Sequence, residues 1–315
     1  MNKNQIVLIL TLIGLLGQKA SAQQDAVNSQ FIMNKMFINA GYTGYRETPT
    51  FVAVHRSQWI GFKGAPSTQV LSFDTPLTKN QLAVGAGLMH DKLGPTSRLG
   101  FNGYFAYRTR LSNRATLSWG ANASLQLYQA NMTDLALTSD YYGQIDESFM
   151  YNTKGLLVPN IGFGAYYTKK DHFIGLSAPA LLRPRLEKRS NPIYETLNGR
   201  YEPTIYLMGG KMFKVNKEIN MQGSMLLRGT FNSPLSLGFY ANAIYLKNYN
   251  FGVFYHFREN LGLSFQWQID KQLKVGYSFD VATNTLIKTN FGSHELAVNY
   301  ALPTKKKRIV YPRYF

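Results

Sequence analysis

The nine residues LGLSFQWQI, at positions 261–269, alternate an apolar side chain with a small or polar one without exception. Leu261, Leu263, Phe265, Trp267 and Ile269 fall on one face, and Gly262, Ser264, Gln266 and Gln268 fall on the other. Successive side chains of a β-strand point to opposite sides of the sheet, so a period of two predicts a strand with one apolar face.

A second stretch, 117–127, repeats this alternation over a longer run. Leu117, Trp119, Ala121, Ala123, Leu125 and Leu127 oppose Ser118, Gly120, Asn122, Ser124 and Gln126. A tilted strand of about 9–11 residues is long enough to cross a bilayer. The pattern therefore favours a membrane-spanning strand.

Weaker versions of the pattern, separated by turn residues, predict strands along most of the chain. They lie near 51–60, 67–75, 81–91, 97–109, 115–128, 157–168, 171–178, 203–213, 218–228, 235–246, 250–258, 260–269, 272–281 and 293–302. An even strand number is typical of bacterial single-chain barrels. The sequence predicts an all-β fold, a transmembrane antiparallel β-barrel of about 14 strands.

The first residues have the pattern of a secretory signal peptide. Lys3 precedes an apolar run from Ile6 to Leu16, and Ala20-Ser21-Ala22 gives a small-x-small cleavage site. We expect a signal peptide at 1–22, a pre-barrel segment at 23–48 that is periplasmic or fills the lumen, a barrel at 49–302 and a basic periplasmic tail at 303–315. No later run reaches the roughly 20 apolar residues of a transmembrane helix.

Composition agrees with a barrel but leaves a soluble β-sandwich open. Charged residues make up 16%, against roughly 25% in an average soluble protein, and the chain has 27 Gly, 21 Tyr, 20 Phe and no Cys. A net charge of +17 often indicates binding to nucleic acid, but an exported chain does not encounter nucleic acid. Outer-membrane lipid or an acidic protein surface is the expected partner.

Loop lengths predict an orientation in the outer membrane. The long connections at 129–156, 179–202 and 282–292 all fall at one end of the predicted barrel, and both termini fall at the other. Outer-membrane barrels keep their long loops outside. The short-turn end, which contains many lysines, should therefore face the periplasm.

No residue pattern indicates catalysis, a metal site or a cofactor. The histidines are scattered singly: His55, His90, His172, His256 and His294. His294 and Glu295 are adjacent, so a strand would point them to opposite faces. Period-two glycines, such as Gly162 with Gly164, are interpreted as relieving crowding in a curved sheet. Aromatic groups such as Tyr104 with Phe105 and Tyr107, or Phe251 with Phe254, are interpreted as membrane-interface girdles.

The C-terminal tail is basic and has two interpretations. Its cations are Lys305, Lys306, Lys307, Arg308 and Arg313, with no acid among them. They are either solvated charges beside lipid head groups, or a docking site for an acidic periplasmic partner.

Several motifs resemble the PorP/SprF family of Bacteroidota outer-membrane proteins. The opening block holds Asn34, Phe37, Asn39, Tyr42 and Gly44, the next block holds Arg56, Gln58, Trp59, Gly64 and Pro66, and the final predicted strand holds His294 and Glu295. The likeness extends over nearly all of the mature chain. It departs at Ala40-Gly41, where the family usually has Pro-Ala.

The resemblance implies a non-enzymatic component of the type IX secretion system, a machine often found with gliding motility. Family members work with periplasmic ring proteins, or receive the C-terminal sorting domain of a secreted or surface-anchored protein such as an adhesin. A passive or substrate-selective channel is the alternative, since a wide barrel has a lumen to be filled or hydrated. A hydrolase is a third class, for which no nucleophile and base are seen.

Overall fold

A computed structural model describes residues 31–77, 81–111, 115–131, 152–184, 202–230, 233–288 and 290–303. Its strands form one closed antiparallel barrel in which each strand pairs with its neighbours in the chain. Closure is made by the first and last strands, which pair from Thr50 with Ala301 to Ser57 with His294. The predicted barrel and its 14 strands are confirmed.

The strand bounds lie within a few residues of the predicted ones. They are β1 Thr50–Ser57, β2 Ser67–Pro76, β3 Leu82–Leu93, β4 Thr96–Arg110, β5 Ala115–Ala130, β6 Thr153–Lys169, β7 His172–Ala180, β8 Thr204–Lys214, β9 Ile219–Thr230, β10 Ser236–Tyr245, β11 Tyr249–His256, β12 Asn260–Gln268, β13 Leu273–Ala282 and β14 Ser293–Ala301. The largest difference is at β6, which starts at Thr153 and not near 157.

The barrel has two unlike ends. The connections after β1, β5, β7 and β13 all lie at one end, here named the long-loop end. The other, the short-turn end, holds connections such as residues 170–171 between β6 and β7. In an antiparallel barrel alternate connections share an end, so this division follows from the strand order.

The two faces of the wall differ as the alternation predicts. On β12, Leu263 is 62% exposed on the outer face and Gln266 is buried in the lumen. On β5, Trp119 and Leu125 point outward while Ser118 and Asn122 are buried inside. No helix among the described residues is both long and apolar enough to cross a membrane.

Part of the girdle interpretation is wrong. Tyr104 and Phe254 are 6% and 2% exposed, and both lie in the lumen. Their outward-facing neighbours include Phe105, which is 48% exposed. Adjacent residues of a strand take opposite faces, so an aromatic run cannot belong wholly to a membrane girdle.

The outer face of β12 allows a test of membrane depth. We expect Leu263→Arg to lower the free energy of unfolding by about 2–4 kcal/mol, because a cation is placed against lipid near the centre of the strand. Ile269→Arg, outward-facing just past the end of the strand, should cost only about 0–1 kcal/mol. The measurement is denaturant unfolding in lipid vesicles, and equal losses would contradict the assignment of this face to lipid.

Candidate functional site: the barrel lumen

Residues 31–48, here named the plug, lie inside the barrel. Its two 3₁₀ turns are Lys35–Phe37 and Ala40–Tyr42, and the second lies against β4 to β7. Buried apolar and aromatic plug residues include Phe31, Met36 and Tyr42. Irregular backbone at membrane depth is stable where protein surrounds it and satisfies its polar groups. Residues 23–30 lie outside the described residues.

Asn39 fastens the middle of the plug to the wall. Its Oδ1 accepts the N–H of Gly41 at 2.8 Å and caps the second turn. Its Nδ2 donates to the carbonyl of Ala165 at 3.0 Å and to that of Leu176 at 3.4 Å. One fully buried amide thus joins the plug to strands more than a hundred residues away.

Glycines on the inner wall make room for the plug. A Cβ added at Gly120 would overlap the carbonyl of Ala40, and one at Gly164 would overlap the Asn39 side chain. At Gly87 it would lie 2.6 Å from Phe37. The period-two glycines therefore do more than relieve crowding within the sheet, since several accept plug atoms at contact distance.

Lys35 lies in an aromatic enclosure. Its side chain is fully buried, with Nζ 4.1 Å from the ring centre of Phe173 and 5.3 Å from that of Tyr42. The ammonium also donates to the Tyr166 hydroxyl at 3.4 Å. Burial lowers the pKa of Lys35 well below its usual value, and positive Arg46 and Lys274 lower that pKa further. The aromatic faces offset part of this cost.

Further hydrogen bonds hold the end of the plug. The N–H of Gly44, at a φ of 68°, donates to Asp74 Oδ2 at 2.8 Å. Arg108 donates to the carbonyl of Thr43 at 3.4 Å, and Ser177 donates to that of Ile38 at 2.8 Å. Asp74 and Arg108 were missed in the sequence, because no local pattern marks a wall residue that pairs with the plug.

An ionic cluster occupies the long-loop end of the lumen. Arg56 Nη1 lies 2.8 Å from Asp280 Oδ2 and 3.5 Å from Glu295 Oε2, and all three side chains are buried. Asn260 also donates to Asp280, at 2.8 Å. Arg56, Asp280 and Glu295 are here named the lumen cluster. Their opposite charges offset the free-energy cost of removing them from water.

A polar cavity of about 280 Å³ adjoins the lumen cluster. His256 lies on its wall and bonds the Tyr240 hydroxyl at 2.6 Å. Glu259 Oε1 accepts Ser236 Oγ at 2.6 Å and Arg228 Nη2 at 3.3 Å. The cavity therefore combines two arginines with several carboxylates, which suits recognition of charged or amide groups.

The described family-motif residues divide among four places: the plug, the lumen cluster, the β1–β2 loop and the outer face. Asn34, Phe37, Asn39, Tyr42 and Gly44 belong to the plug; Arg56 and Glu295 belong to the lumen cluster; Gln58, Trp59, Gly64 and Pro66 form the β1–β2 loop, with Gln58, Trp59 and Pro66 against the cavity. His294 points outward and bonds the Tyr277 hydroxyl at 2.5 Å. Lys305, Lys306, Lys307, Arg308 and Arg313 lie outside the described residues.

Within the described ranges, no three His, Cys, Asp or Glu side chains are grouped so that they could hold a metal ion. The lumen is instead a site of packing and charge pairing.

The chain matches one protein family over most of its length, and it also matches solved structures at low sequence identity. Residues 20–300 match the family described as type IX secretion system membrane protein PorP/SprF. No curated protein matches.

Solved structures that match include a porin, a FadL homologue and a hydrocarbon channel. A KdgM porin in complex with disordered oligogalacturonate is 9% identical, over 81% of this chain and 99% of the porin, with a TM-score of 0.38. A Pseudomonas aeruginosa FadL homologue is 10% identical, over 81% and 89%, with 0.44. The TodX ΔS2S3 mutant, a monoaromatic hydrocarbon channel, is 8% identical, over 84% and 92%, with 0.47.

The plug contact at Gly120 can be tested directly. We expect Gly120→Val to loosen the plug by about 1–3 kcal/mol through overpacking against Ala40. Faster proteolysis within 31–48 and a higher ion conductance of the reconstituted protein would report this loosening. Gly223→Val is the matched control, because an added Cβ there meets no atom within 4 Å. Equal behaviour of the two variants would contradict the role of Gly120.

The lumen cluster gives a second prediction. Arg56→Met leaves Asp280 and Glu295 without their buried cation, so the free energy of unfolding should fall by about 3–5 kcal/mol. The triple variant that adds Asp280→Asn and Glu295→Gln should regain most of this loss, because no uncompensated charge remains. Urea unfolding measures both, and a triple variant no more stable than Arg56→Met would refute charge pairing as the cause.

Proposed function

Since the chain belongs to the PorP/SprF family of type IX secretion system membrane proteins, we propose that it is a non-enzymatic docking component that supports export or surface attachment of secreted proteins. The closed barrel and the family place it in the outer membrane. Its partners in this proposal are periplasmic ring proteins and a cargo protein with a C-terminal sorting domain.

The plug is the observation that carries the proposal. Phe31, Met36 and Tyr42 are at most 2% exposed, so the lumen is packed with side chains where the plug crosses it. A protein built mainly to conduct solutes needs a continuous hydrated path. A packed lumen instead gives a rigid cylinder whose two ends can each bind a partner.

The short-turn end suits an acidic partner. Its turns carry exposed lysines, including Lys170, Lys217, Lys247 and Lys271. The strand β14 ends at this end, at Ala301, and in our proposal the tail that follows it adds five more cations here. Clustered positive charge attracts an acidic surface and speeds its association. This end therefore docks to the periplasmic machinery in our proposal.

The long-loop end suits the cargo. Its polar cavity is bordered by Trp59, Arg228 and Glu259, a mixture of aromatic and charged groups. Aromatic and arginine side chains are enriched where protein partners bind. The sorting domain of a surface protein would meet these groups and the loops around them.

A channel is the alternative, favoured by the polar lining of the lumen. Gln222, Asn242 and Ser278 are buried on the inner wall, as in a hydrated pore. Large conductance of the intact protein in a planar bilayer would favour this alternative. Low conductance that rises on deletion of residues 23–48 would favour the docking proposal.

Charge reversal of the tail tests the periplasmic partner. We expect replacement of Lys305, Lys306, Lys307, Arg308 and Arg313 by Glu to reduce the partner recovered with the protein by about tenfold, a loss of roughly 1.4 kcal/mol. The measurement is crosslinked affinity purification from outer membranes, followed by quantitative mass spectrometry. Recovery should also fall with rising salt.

A charge-conserving variant is the matched control. Exchanging each tail Lys for Arg and each Arg for Lys should leave recovery unchanged, because the net charge is kept. If charge reversal and exchange recover equal amounts of ring proteins and cargo, the tail is not a docking site. Recovery of neither class by the intact protein would overturn the proposed function.

A further inference from the structure

An apolar groove of about 600 Å³ lies on the outer face of the barrel across β1 to β5. Its walls include Phe51 and Phe73, whose ring centres are 4.6 Å apart, and Leu88 and Phe101. This volume falls in the range of roughly 300–1,000 Å³ typical of small-molecule sites. The groove is thus large enough to hold part of a ligand.

The floor of the groove is a row of small residues. Ala86, Gly103 and Ala123 are direct neighbours across β3, β4 and β5. A Cβ added at Gly103 would meet only the Ala123 carbonyl, at 4.0 Å. Packing within the protein therefore does not require glycine there, unlike at Gly120 on the inner wall. The missing side chain opens space on the lipid side.

A row of outward-facing polar side chains, here named the polar roof, borders the groove on the side of the long-loop end. Gln69 and His90 are paired neighbours, two residues beyond the groove residues Leu71 and Leu88. His90 Nδ1 bonds Gln69 Oε1 at 2.9 Å, and His90 Nε2 bonds Ser97 Oγ at 3.1 Å. Exposed Lys92 lies next along β3 on the same face.

More polar groups extend the polar roof, on the neighbouring strand β1 and in the β1–β2 loop. His55, on β1, pairs with Gln69 and bonds Ser57 Oγ at 3.1 Å. Exposed Lys63 lies in the β1–β2 loop, where the Gly64 carbonyl accepts the Gly94 N–H at 2.9 Å. Two ammonium groups are therefore carried by adjoining loops and strand ends above the groove.

This arrangement differs from the opposite wall. On β12 the outward side chains remain apolar to the long-loop end of the strand, where Leu261 is 46% exposed. Imidazole and amide groups that face hydrocarbon are costly unless bonded. A row of them directly above an apolar groove matches a molecule that is apolar at one end and polar at the other.

We propose that this outer face binds one phosphorylated glycolipid of the leaflet at the long-loop end. An acyl chain lies over Ala86, Gly103 and Ala123, and the phosphate lies near Lys92 and Lys63. The sugar hydroxyls bond His55, the amide of Gln69 and the serine hydroxyls of Ser57 and Ser97, while His90 holds Gln69 and Ser97 in place. The assignment to a glycolipid rests on the proposed orientation, in which the long loops face the cell exterior.

The width of the roof favours a sugar head group over a glycerophosphate. His55, Gln69 and His90 lie on three adjacent strands, which spaces the outer two by about 10 Å. Serine hydroxyls lie beside them on β1, β2 and β4, at Ser57, Ser67 and Ser97. A head group with many hydroxyls matches this spread of donors and acceptors.

Competitive lipid retention tests the site. The full-length protein is equilibrated in mixed vesicles of bisphosphorylated lipid A and phosphatidylglycerol, extracted gently and weighed by native mass spectrometry. We expect one retained lipid A, and about a tenfold loss of retention in Ala123→Phe, which fills the groove. The double variant His90→Ala with Lys92→Ala should show a similar loss.

Two variants serve as matched controls. Ala241→Phe makes the same change on the outer face of β10, and Lys247→Ala removes an exposed lysine at the short-turn end. Neither should alter retention. Equal loss in Ala123→Phe and Ala241→Phe, or no retained lipid at all, would overturn the site. Preferential retention of phosphatidylglycerol would overturn the glycolipid assignment.

A separate measurement distinguishes this site from the proposed docking function. Ala123→Phe should leave the recovery of protein partners unchanged, because docking in our proposal uses the ends of the barrel.

Discussion

Peptide groups that face lipid must find their hydrogen-bond partners within the protein, because the bilayer core contains no water to replace them. In this chain the requirement is met by closure, with β1 paired to β14 along its whole length from Thr50 to Ser57. No strand edge is left between the first and last strands. Closure also creates an interior, and the rest of the structure is organised around filling it.

A barrel of about eight strands can be filled by its own side chains, whereas a larger one encloses a wider space. Here the chain preceding β1 occupies part of that space. Asn39 and Gly44 bond to the wall, and Gly120 and Gly164 leave room for the plug backbone. The wall and the plug are therefore complementary in shape, so a change in one is felt by the other.

Small residues and charges serve different purposes on the two faces. Gly120 and Gly164 face inward and touch the plug, while Gly103 faces outward and widens a groove against lipid. The buried charges of Arg56, Asp280 and Glu295 compensate one another inside. The exposed lysines of the short turns are free to attract an acidic surface, as the docking proposal requires.

The sequence by itself determined the strands, their number and which residues share a face, as in 261–269, because alternation is a property of neighbouring residues. It did not show that Tyr104 lies in the lumen, since an isolated strand has two faces and only closure makes one of them internal. Nor did it show that Arg56 meets Asp280 and Glu295, or that Gly120 touches Ala40. These contacts join residues far apart in the chain, and the register of a closed sheet alone brings them together.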